Sequence, residues 1–296
     1  MSELGKRVAV AAVGIPAVLA IAWVGGWLLG ALLGSFAAWA AHECFRFAHR
    51  KEIEPIAWIG VPMAPAFVLL AVWRPSFREF APWALGLVAV ATLGALLAAM
   101  IQRGPGRNPF AAAAITVMAP MYVGLTLAFA PLLHALGGDG WGDEGVSRGL
   151  AGLIFLALPL AATWIGDAAA FFAGSAWGRN RAKLAPAISP NKSWIGFWAG
   201  LSGGGLAGVL WFVVATTFLG ATANGTGYAA AALMGVVLGL VAVLGDLVES
   251  LLKREAGVKD SGTFFPGHGG VMDRIDSLIF TIPTAFALLI LLGSVL

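Results

Sequence analysis

Long apolar segments alternate with short polar segments along this chain of 296 residues. A helix needs about 20 apolar residues to cross a bilayer, so each long segment predicts a membrane-spanning helix. The predicted helices cover residues 8–24, 27–45, 56–73, 82–101, 110–136, 150–173, 195–219, 228–252 and 277–296. The pattern therefore predicts an all-α, polytopic integral membrane protein with about nine transmembrane helices.

The composition agrees with this fold class. Apolar residues make up 59% of the chain and charged residues 11%, which is outside the range of soluble domains. The single cysteine, Cys44, excludes an internal disulfide framework and any metal cluster held by several cysteines. Lys6 and Arg7 precede the first apolar segment as in a signal peptide, but no small-residue cleavage site follows, so we interpret residues 8–24 as a retained helix.

The distribution of basic residues predicts the orientation. With the N-terminus inside, 15 of the 18 lysines and arginines fall in cytoplasmic segments, and only Arg74, Arg78 and Arg148 fall outside. The positive-inside rule therefore favours an N-in/C-out arrangement. It assigns Lys192 to the cytoplasmic side and Asp143 to the opposite side.

The two halves of the chain differ in their polar residues. Residues 1–148, with about five predicted helices, have few polar groups within the helices and are interpreted as a transmembrane scaffold. In this half, His42, Glu43 and His134 lie near helix ends and are expected at the membrane interface rather than in catalysis. Residues 149–296, with about four helices, gather their charged residues at helix ends and are predicted to form the catalytic region.

Polar residues flank the junction between the sixth and seventh predicted helices. Asp167 lies within the sixth helix, where a carboxylate indicates a ligand or metal site, with a structural ion pair to an arginine as the alternative. Ser189, Lys192 and Ser193 come just before the seventh helix. Because a helix N-terminus attracts anions, they predict phosphate binding, and simple helix capping is the alternative.

Pairs of carboxylates spaced three residues apart occur at the next two helix ends. Asp246 and Glu249 end the eighth predicted helix, and Asp273 and Asp276 precede or begin the ninth. Residues three apart share one helical face, where two carboxylates can hold a cation. The alternatives are a pairing of Glu249 with Lys253 and a favourable interaction of the aspartates with a helix N-terminus.

Residues 250–276, SLLKREAGVKDSGTFFPGHGGVMDRID, are dense in charge and are called the motif segment below. Basic side chains suit phosphate oxygens, aspartates suit divalent cations, and glycines let backbone N–H groups approach a ligand. His268 would orient a phosphate or carry a proton. The motif segment therefore predicts a metal-assisted phosphate site.

The motif segment resembles the C-terminal motif of the phosphatidate cytidylyltransferases, also called CDP-diacylglycerol synthases. The matching positions are Ser250, Lys253, Arg254, Lys259, Asp260, Gly262, Pro266, His268, Gly269, Gly270, Asp273, Arg274 and Asp276. SPNKSW at 189–194 and GDLVES at 245–250 resemble two other patterns of the family. Two positions depart from it: Ile195 replaces a glutamate, and Ala168 replaces a common hydroxyl residue.

The resemblance implies a reaction at the cytoplasmic face of the cell (inner) membrane. The phosphate of phosphatidate would attack the α-phosphorus of CTP and release pyrophosphate, which makes CDP-diacylglycerol for phospholipid biosynthesis. The implied catalytic residues are Asp246, Lys259, Asp260, His268 and Asp273. The implied ligands of Mg²⁺ are Asp246 and Asp273, then Glu249 and Asp276, with room for a second cation. The implied substrate-binding residues are Asp167, Ser189, Lys192, Ser193, Lys253, Arg254, Gly269, Gly270 and Arg274.

Two other functions remain open. One is a CTP-dependent synthase or kinase that acts on a polyprenyl or ether lipid. The other is a cation-coupled transporter, but such proteins carry related repeats around a midplane site, and neither feature is visible here. The expected partners are CTP, phosphatidate and the bilayer, a homodimer is left open, and no nucleic acid is expected.

Overall fold

The computed structural model describes residues 14, 16–138, 147–220, 225–265 and 269–292, except the side chains of residues 225, 226 and 292. The described chain is mainly helical, and residues 16–24 are helical. The helices that follow are α1 (Gly26–His49), α2 (Ala57–Trp73), α3 (Phe77–Gln102), α4 (Pro109–Pro120), a π-helical turn (Met121–Leu125), α5 (Phe129–Leu136), α6 (Arg148–Trp177), α7 (Trp194–Leu219), α8 (Gly225–Glu255) and α9 (Met272–Leu292).

Within the described ranges, seven helical spans are long and apolar enough to cross a membrane, with α4, the π-helical turn and α5 forming one of them. Helix α2 is apolar but has only 17 residues. The predicted class, a helical membrane protein, is therefore confirmed. The number of nine spans and the N-in/C-out orientation stay predictions.

Two short strands interrupt the helices between α6 and α7. Strand β1 (Lys183–Ala185) pairs antiparallel with β2 (Ser189–Ser193), with Lys183 opposite Ser193. This hairpin was not expected from the sequence. It holds the predicted phosphate-binding residues on a paired strand that leads directly into α7.

The chain folds into two compact units. Unit one contains residues 1–132 and 252–275, so that most of the motif segment belongs with the N-terminal helices. Unit two contains residues 133–251 and 276–296. The predicted division into a scaffold (1–148) and a catalytic region (149–296) concerns function and stays a prediction.

In unit one, helix α1 packs closely on its surroundings because its inner face is built from alanines. Ala37, Ala40 and Ala41 are fully buried. Aromatic residues of the motif segment also contact α1: the ring centroids of Phe264 and Trp39 are 4.8 Å apart. The second half of α1 therefore lies against the motif segment.

In unit two, helices α6, α7 and α8 approach each other through glycines. A Cβ atom at Gly166 of α6 would lie 3.2 Å from the carbonyl oxygen of Gly200 in α7. A Cβ at Gly204 of α7 would collide with the carbonyl oxygen of Gly235 in α8. Such close backbone contact favours helix association in membranes. It fixes the two helices that carry Asp167 and Asp246.

Candidate active site

An open pocket of about 680 Å³, called the hairpin pocket below, lies beside the β-hairpin of unit two. Residues of α6, the hairpin, the first turn of α7 and α8 line it. Its polar and charged lining residues are Asp167, Ser175, Arg179, Lys183, Asn191, Lys192, Ser193 and Asp246. Four predicted site residues from distant parts of the sequence, Asp167, Lys192, Ser193 and Asp246, thus line one pocket.

Lys192 and Asp246 form an ion pair in this pocket. The Nζ atom of Lys192 lies 2.7 Å from Oδ2 of Asp246, and the Ser250 hydroxyl donates to Oδ1 at 3.3 Å. Asp167 interacts electrostatically with both partners of the pair. The pocket therefore offers carboxylates for a cation and basic groups for an anion within one cavity.

The first turn of α7 borders the hairpin pocket. The Ser193 side chain is buried, and its Oγ accepts a hydrogen bond from the Gly196 N–H at 3.2 Å, so Ser193 caps α7. The capping role left open by the sequence is thus confirmed for Ser193, and a role in phosphate binding stays a prediction. Ser189 begins β2 and pairs with Ala185. Ile195, which differs from the family pattern, is half-buried in the first turn of α7.

Helices α8 and α9 touch beside three of the predicted cation ligands. A Cβ atom at Gly245 would lie only 2.7 Å from the carbonyl oxygen of Asp276. Asp246 follows this glycine, and Glu249, one turn further along, is fully buried. The Oδ1 atom of Asp276 accepts from the Ser277 N–H at 2.7 Å. The close contact at Gly245 therefore fixes the helix ends that carry these carboxylates.

Asp273 lies in unit one, where it is the centre of a hydrogen-bonded group of side chains called the motif cluster below. The Lys253 Nζ lies 2.7 Å from Oδ1 of Asp273. The Ser261 N–H, the Ser261 hydroxyl and the Gly270 N–H each lie 2.8 Å from Oδ2 as donors. The Asp273 side chain is 7% exposed and that of Lys253 is 14% exposed. The cluster thus holds a nearly buried carboxylate in one orientation.

The two aspartates differ in how they suit a magnesium ion. Mg²⁺ is usually held by one or two carboxylates, with phosphate oxygens and water completing its shell. Asp246 fits this role because its side chain is 37% exposed in an open pocket. At Asp273 a cation would have to replace the Lys253 contact on Oδ1. No group of three or more His, Cys, Asp or Glu among the described residues could hold a metal, so phosphate oxygens would have to contribute.

Glu43 contradicts the expectation that it lies at the membrane interface. Its side chain is fully buried, and it accepts hydrogen bonds from the Ser261 hydroxyl at 3.0 Å, the Val271 N–H at 3.1 Å and the Met272 N–H at 2.8 Å. The expectation was wrong because the motif segment packs against α1. The sequence carries one sign of this burial, since Glu43 is, like Asp167, a carboxylate in an apolar helix, but it does not identify the segment that buries it.

The other predicted residues of the motif segment are mostly exposed. Exposed side chains in unit one include Arg254, Lys259, Asp260 and Arg274. Gly269 has a φ of +83°, which favours glycine, and a Cβ there would crowd the Asp273 carboxylate. His268 and Pro266 lie outside the described residues.

Comparison with known proteins shows the family of this chain. The model of the cytidylyltransferase family matches residues 5–292. A phosphatidate cytidylyltransferase of Synechocystis is 30% identical over 309 residues, which cover 98% of each chain. One of Haemophilus influenzae is 42% identical over 132 residues, which cover 45% of this chain and 44% of that protein. Since the family match spans almost the whole chain, this protein belongs to the cytidylyltransferase family.

Proposed function

We propose that this protein is an enzyme, a phosphatidate cytidylyltransferase, that converts CTP and phosphatidate into CDP-diacylglycerol and pyrophosphate. Besides membership of the family, the hairpin pocket is the structural observation that best supports this proposal. It combines Asp167 and Asp246 with Lys192 in a helical membrane protein. Both substrates are anions with phosphate groups, so their reaction needs this combination of basic residues and cation-binding carboxylates.

In the proposed reaction, an oxygen of the lipid phosphate forms a bond to the α-phosphorus of CTP. The bond from this phosphorus to the oxygen that bridges to the β-phosphorus breaks, and pyrophosphate leaves. Bringing two anions together requires that their charge be neutralised. Lys192, together with Arg179 and Lys183 of the same pocket, would bind phosphate oxygens of CTP.

Magnesium is part of this proposal. A bound Mg²⁺ would neutralise phosphate charge and favour departure of pyrophosphate. Asp246 is the first candidate ligand because it is partly exposed in the pocket, and Asp273 is the second. That these two aspartates serve one cation, with Glu249 and Asp276 in support, stays a prediction.

The exposed basic residues of the motif segment would serve the remaining phosphates. Arg254, Lys259 and Arg274 are exposed and therefore accessible to an anion from solution. We assign them to the leaving pyrophosphate or to the lipid phosphate. Lys253 differs because it already pairs with Asp273, so its first role is to hold that carboxylate.

The proposed reaction takes place at the cytoplasmic face of the membrane. Phosphatidate would enter from the bilayer, and CTP would enter from the cytoplasm. The N-in/C-out orientation, inferred from the basic residues, puts Lys192 on the cytoplasmic side of the cell (inner) membrane. A homodimer is not needed for any step above and stays a prediction that a mass measurement in detergent would check.

A CTP-dependent enzyme with another lipid substrate is the alternative within the same chemistry. The hairpin pocket has groups for phosphate and a cation, and these do not specify the lipid. The test is an assay of purified protein in detergent with labelled CTP and either phosphatidate, a polyprenol, a polyprenyl phosphate or no lipid. CDP-diacylglycerol formed with phosphatidate alone supports the proposal. Product formed only with a polyprenyl substrate would overturn it.

A further inference from the structure

We propose that Glu43 on α1 is a positioning residue for the reaction, because it fixes the Asp273 carboxylate and the start of α9. The proposal rests on the function proposed above. Glu43 lies 218 residues before Ser261 in the sequence, in a half of the chain that the sequence assigns to scaffold. Its role is therefore visible only in the folded chain.

The buried carboxylate of Glu43 is matched to the donors around it. A buried charge is costly unless hydrogen bonds compensate for it. Two of its donors, the N–H groups of Val271 and Met272, belong to the start of α9. The first N–H groups of a helix lack partners within the helix, and its N-terminus favours negative charge. Glu43 therefore caps α9 from another helix.

Ser261 connects Glu43 with Asp273. Its Oγ lies 3.0 Å from Oε2 of Glu43 and 2.8 Å from Oδ2 of Asp273. A hydroxyl has one hydrogen to donate, so the two carboxylates share it. The backbone N–H groups of two consecutive residues also bind both carboxylates: Gly270 donates to Asp273, and Val271 donates to Glu43. Moving the Glu43 carboxylate must therefore disturb Asp273.

Two glycines of the motif segment leave space for this carboxylate. A Cβ atom at Gly262 or at Gly270 would collide with Oε1 of Glu43. At Gly262 the nearest atom outside Glu43 is the Cα of Gly270 at 3.4 Å, which is an ordinary contact. The need for glycine at 262 thus depends on Glu43. This explains the motif glycine by packing, whereas the sequence suggested close approach to a ligand.

Glutamine cannot replace Glu43 in this position. Oε1 accepts from Val271, and Oε2 accepts from Met272 and Ser261. With either orientation of the amide, the NH₂ group of glutamine would face a backbone N–H of Val271 or Met272. A donor facing a donor leaves buried groups unsatisfied. The start of α9 would then shift, and Asp273 with it.

The first test compares Glu43→Gln with Glu79→Gln, the same change at an exposed position of unit one. We expect Glu43→Gln to lower kcat about tenfold and to raise KM for CTP about three- to tenfold, so that kcat/KM falls about thirty- to a hundred-fold, the scale of a lost charge-assisted contact. A smaller folded fraction would lower kcat without moving KM, so the change in KM identifies positioning. Kinetics equal to those of Glu79→Gln would overturn the proposal.

The second test uses Gly262→Ala, Glu43→Ala and the double variant. If the Cβ at position 262 collides only with Glu43, the double variant should be less than about twofold slower than Glu43→Ala, because coupled sites are not additive. If Gly262 serves a ligand instead, the two losses should multiply. Thermal midpoints in detergent are measured for all three variants and do not require activity. The midpoint of the double variant should likewise be close to that of Glu43→Ala.

The outcomes separate this inference from the proposed function. Wild-type protein that makes no CDP-diacylglycerol contradicts the proposed function. If the wild-type protein is active but the losses in the second test multiply, only the role proposed for Glu43 is contradicted, and the proposed function is not.

Discussion

The Nζ atom of Lys192 lies 2.7 Å from Oδ2 of Asp246, so β2 and α8 present an ammonium and a carboxylate to the same pocket. Their side chains are 23% and 37% exposed. Partly exposed ion pairs contribute about 0–1 kcal/mol to stability. The pair can therefore open at little cost when substrate enters. This property suits the proposed roles of Lys192 in binding phosphate and of Asp246 in binding a cation.

Lys192→Ala should lower kcat/KM for CTP about ten- to a hundred-fold, because it removes a charge-assisted contact to phosphate. The fold should be kept, since the pair contributes little to stability. The matched control is Lys51→Ala, at an exposed position of unit one. The measurement is steady-state kinetics with labelled CTP, and unchanged kinetics in folded Lys192→Ala would exclude Lys192 from the site.

Ile195→Glu should change turnover by less than about threefold, even though it introduces the glutamate that the family resemblance implies at this position. Ile195 is half-buried in the first turn of α7, where an added carboxylate gains about 0.3–1 kcal/mol from the helix N-terminus. A small change would mean that a glutamate at this position has a supporting role and not a chemical one. A gain in turnover of more than tenfold would show that the natural isoleucine limits this enzyme.

The helices and much of the hairpin pocket could be predicted from the sequence. Long apolar segments reveal membrane helices directly because each must cover the bilayer. Asp167 and Asp246 stood out for a related reason, since a carboxylate in an apolar helix needs a function. The structure adds that both line one pocket with Lys192.

Glu43 and the β-hairpin could not be placed from the sequence. Whether a carboxylate at a helix end meets lipid headgroups or a buried helix N-terminus depends on contacts between distant segments, and Glu43 meets Ser261. The hairpin forms from two very short strands in a polar segment, where no alternation of apolar residues marks them. In both cases long-range packing decides, and a single sequence does not display it.

The orientation can be tested with single cysteines. Native Cys44 is buried and should react slowly with a membrane-impermeant reagent. We expect a cysteine at position 192 to react only after the membrane is opened, and a cysteine at position 143 to react in intact cells, as the positive-inside rule requires. Position 143 lies outside the described residues. Labelling at 192 in intact cells would contradict the N-in/C-out orientation.

Asp246→Asn should lower turnover at least about a hundredfold, because it removes a charge that the proposed cation requires. Its fold should be unaffected, since the side chain is 37% exposed and its partner Lys192 can turn to solvent. The measurement is Mg²⁺-dependent release of pyrophosphate from CTP with phosphatidate, with Glu79→Gln as the control. Turnover near that of the control would exclude Asp246 as an essential ligand.

Asp273→Asn should lower turnover by at least about a hundredfold as well, but it should also lower stability. The Asp273 carboxylate is 7% exposed and faces Lys253, so asparagine leaves a nearly buried ammonium without its counter-charge. Breaking a buried ion pair costs about 3–5 kcal/mol, which predicts a thermal midpoint lower by more than about 5 °C.

The double variant Asp273→Asn/Lys253→Met separates the two effects of Asp273. Removing the ammonium together with its counter-charge should restore most of the thermal midpoint, because no unpaired charge is then buried. Turnover should stay low, because neither group is left to serve the phosphates or a cation. Thermal midpoints in detergent and pyrophosphate release are measured on the same preparations. If turnover recovered together with stability, the Asp273 carboxylate would be needed for the fold and not for the reaction.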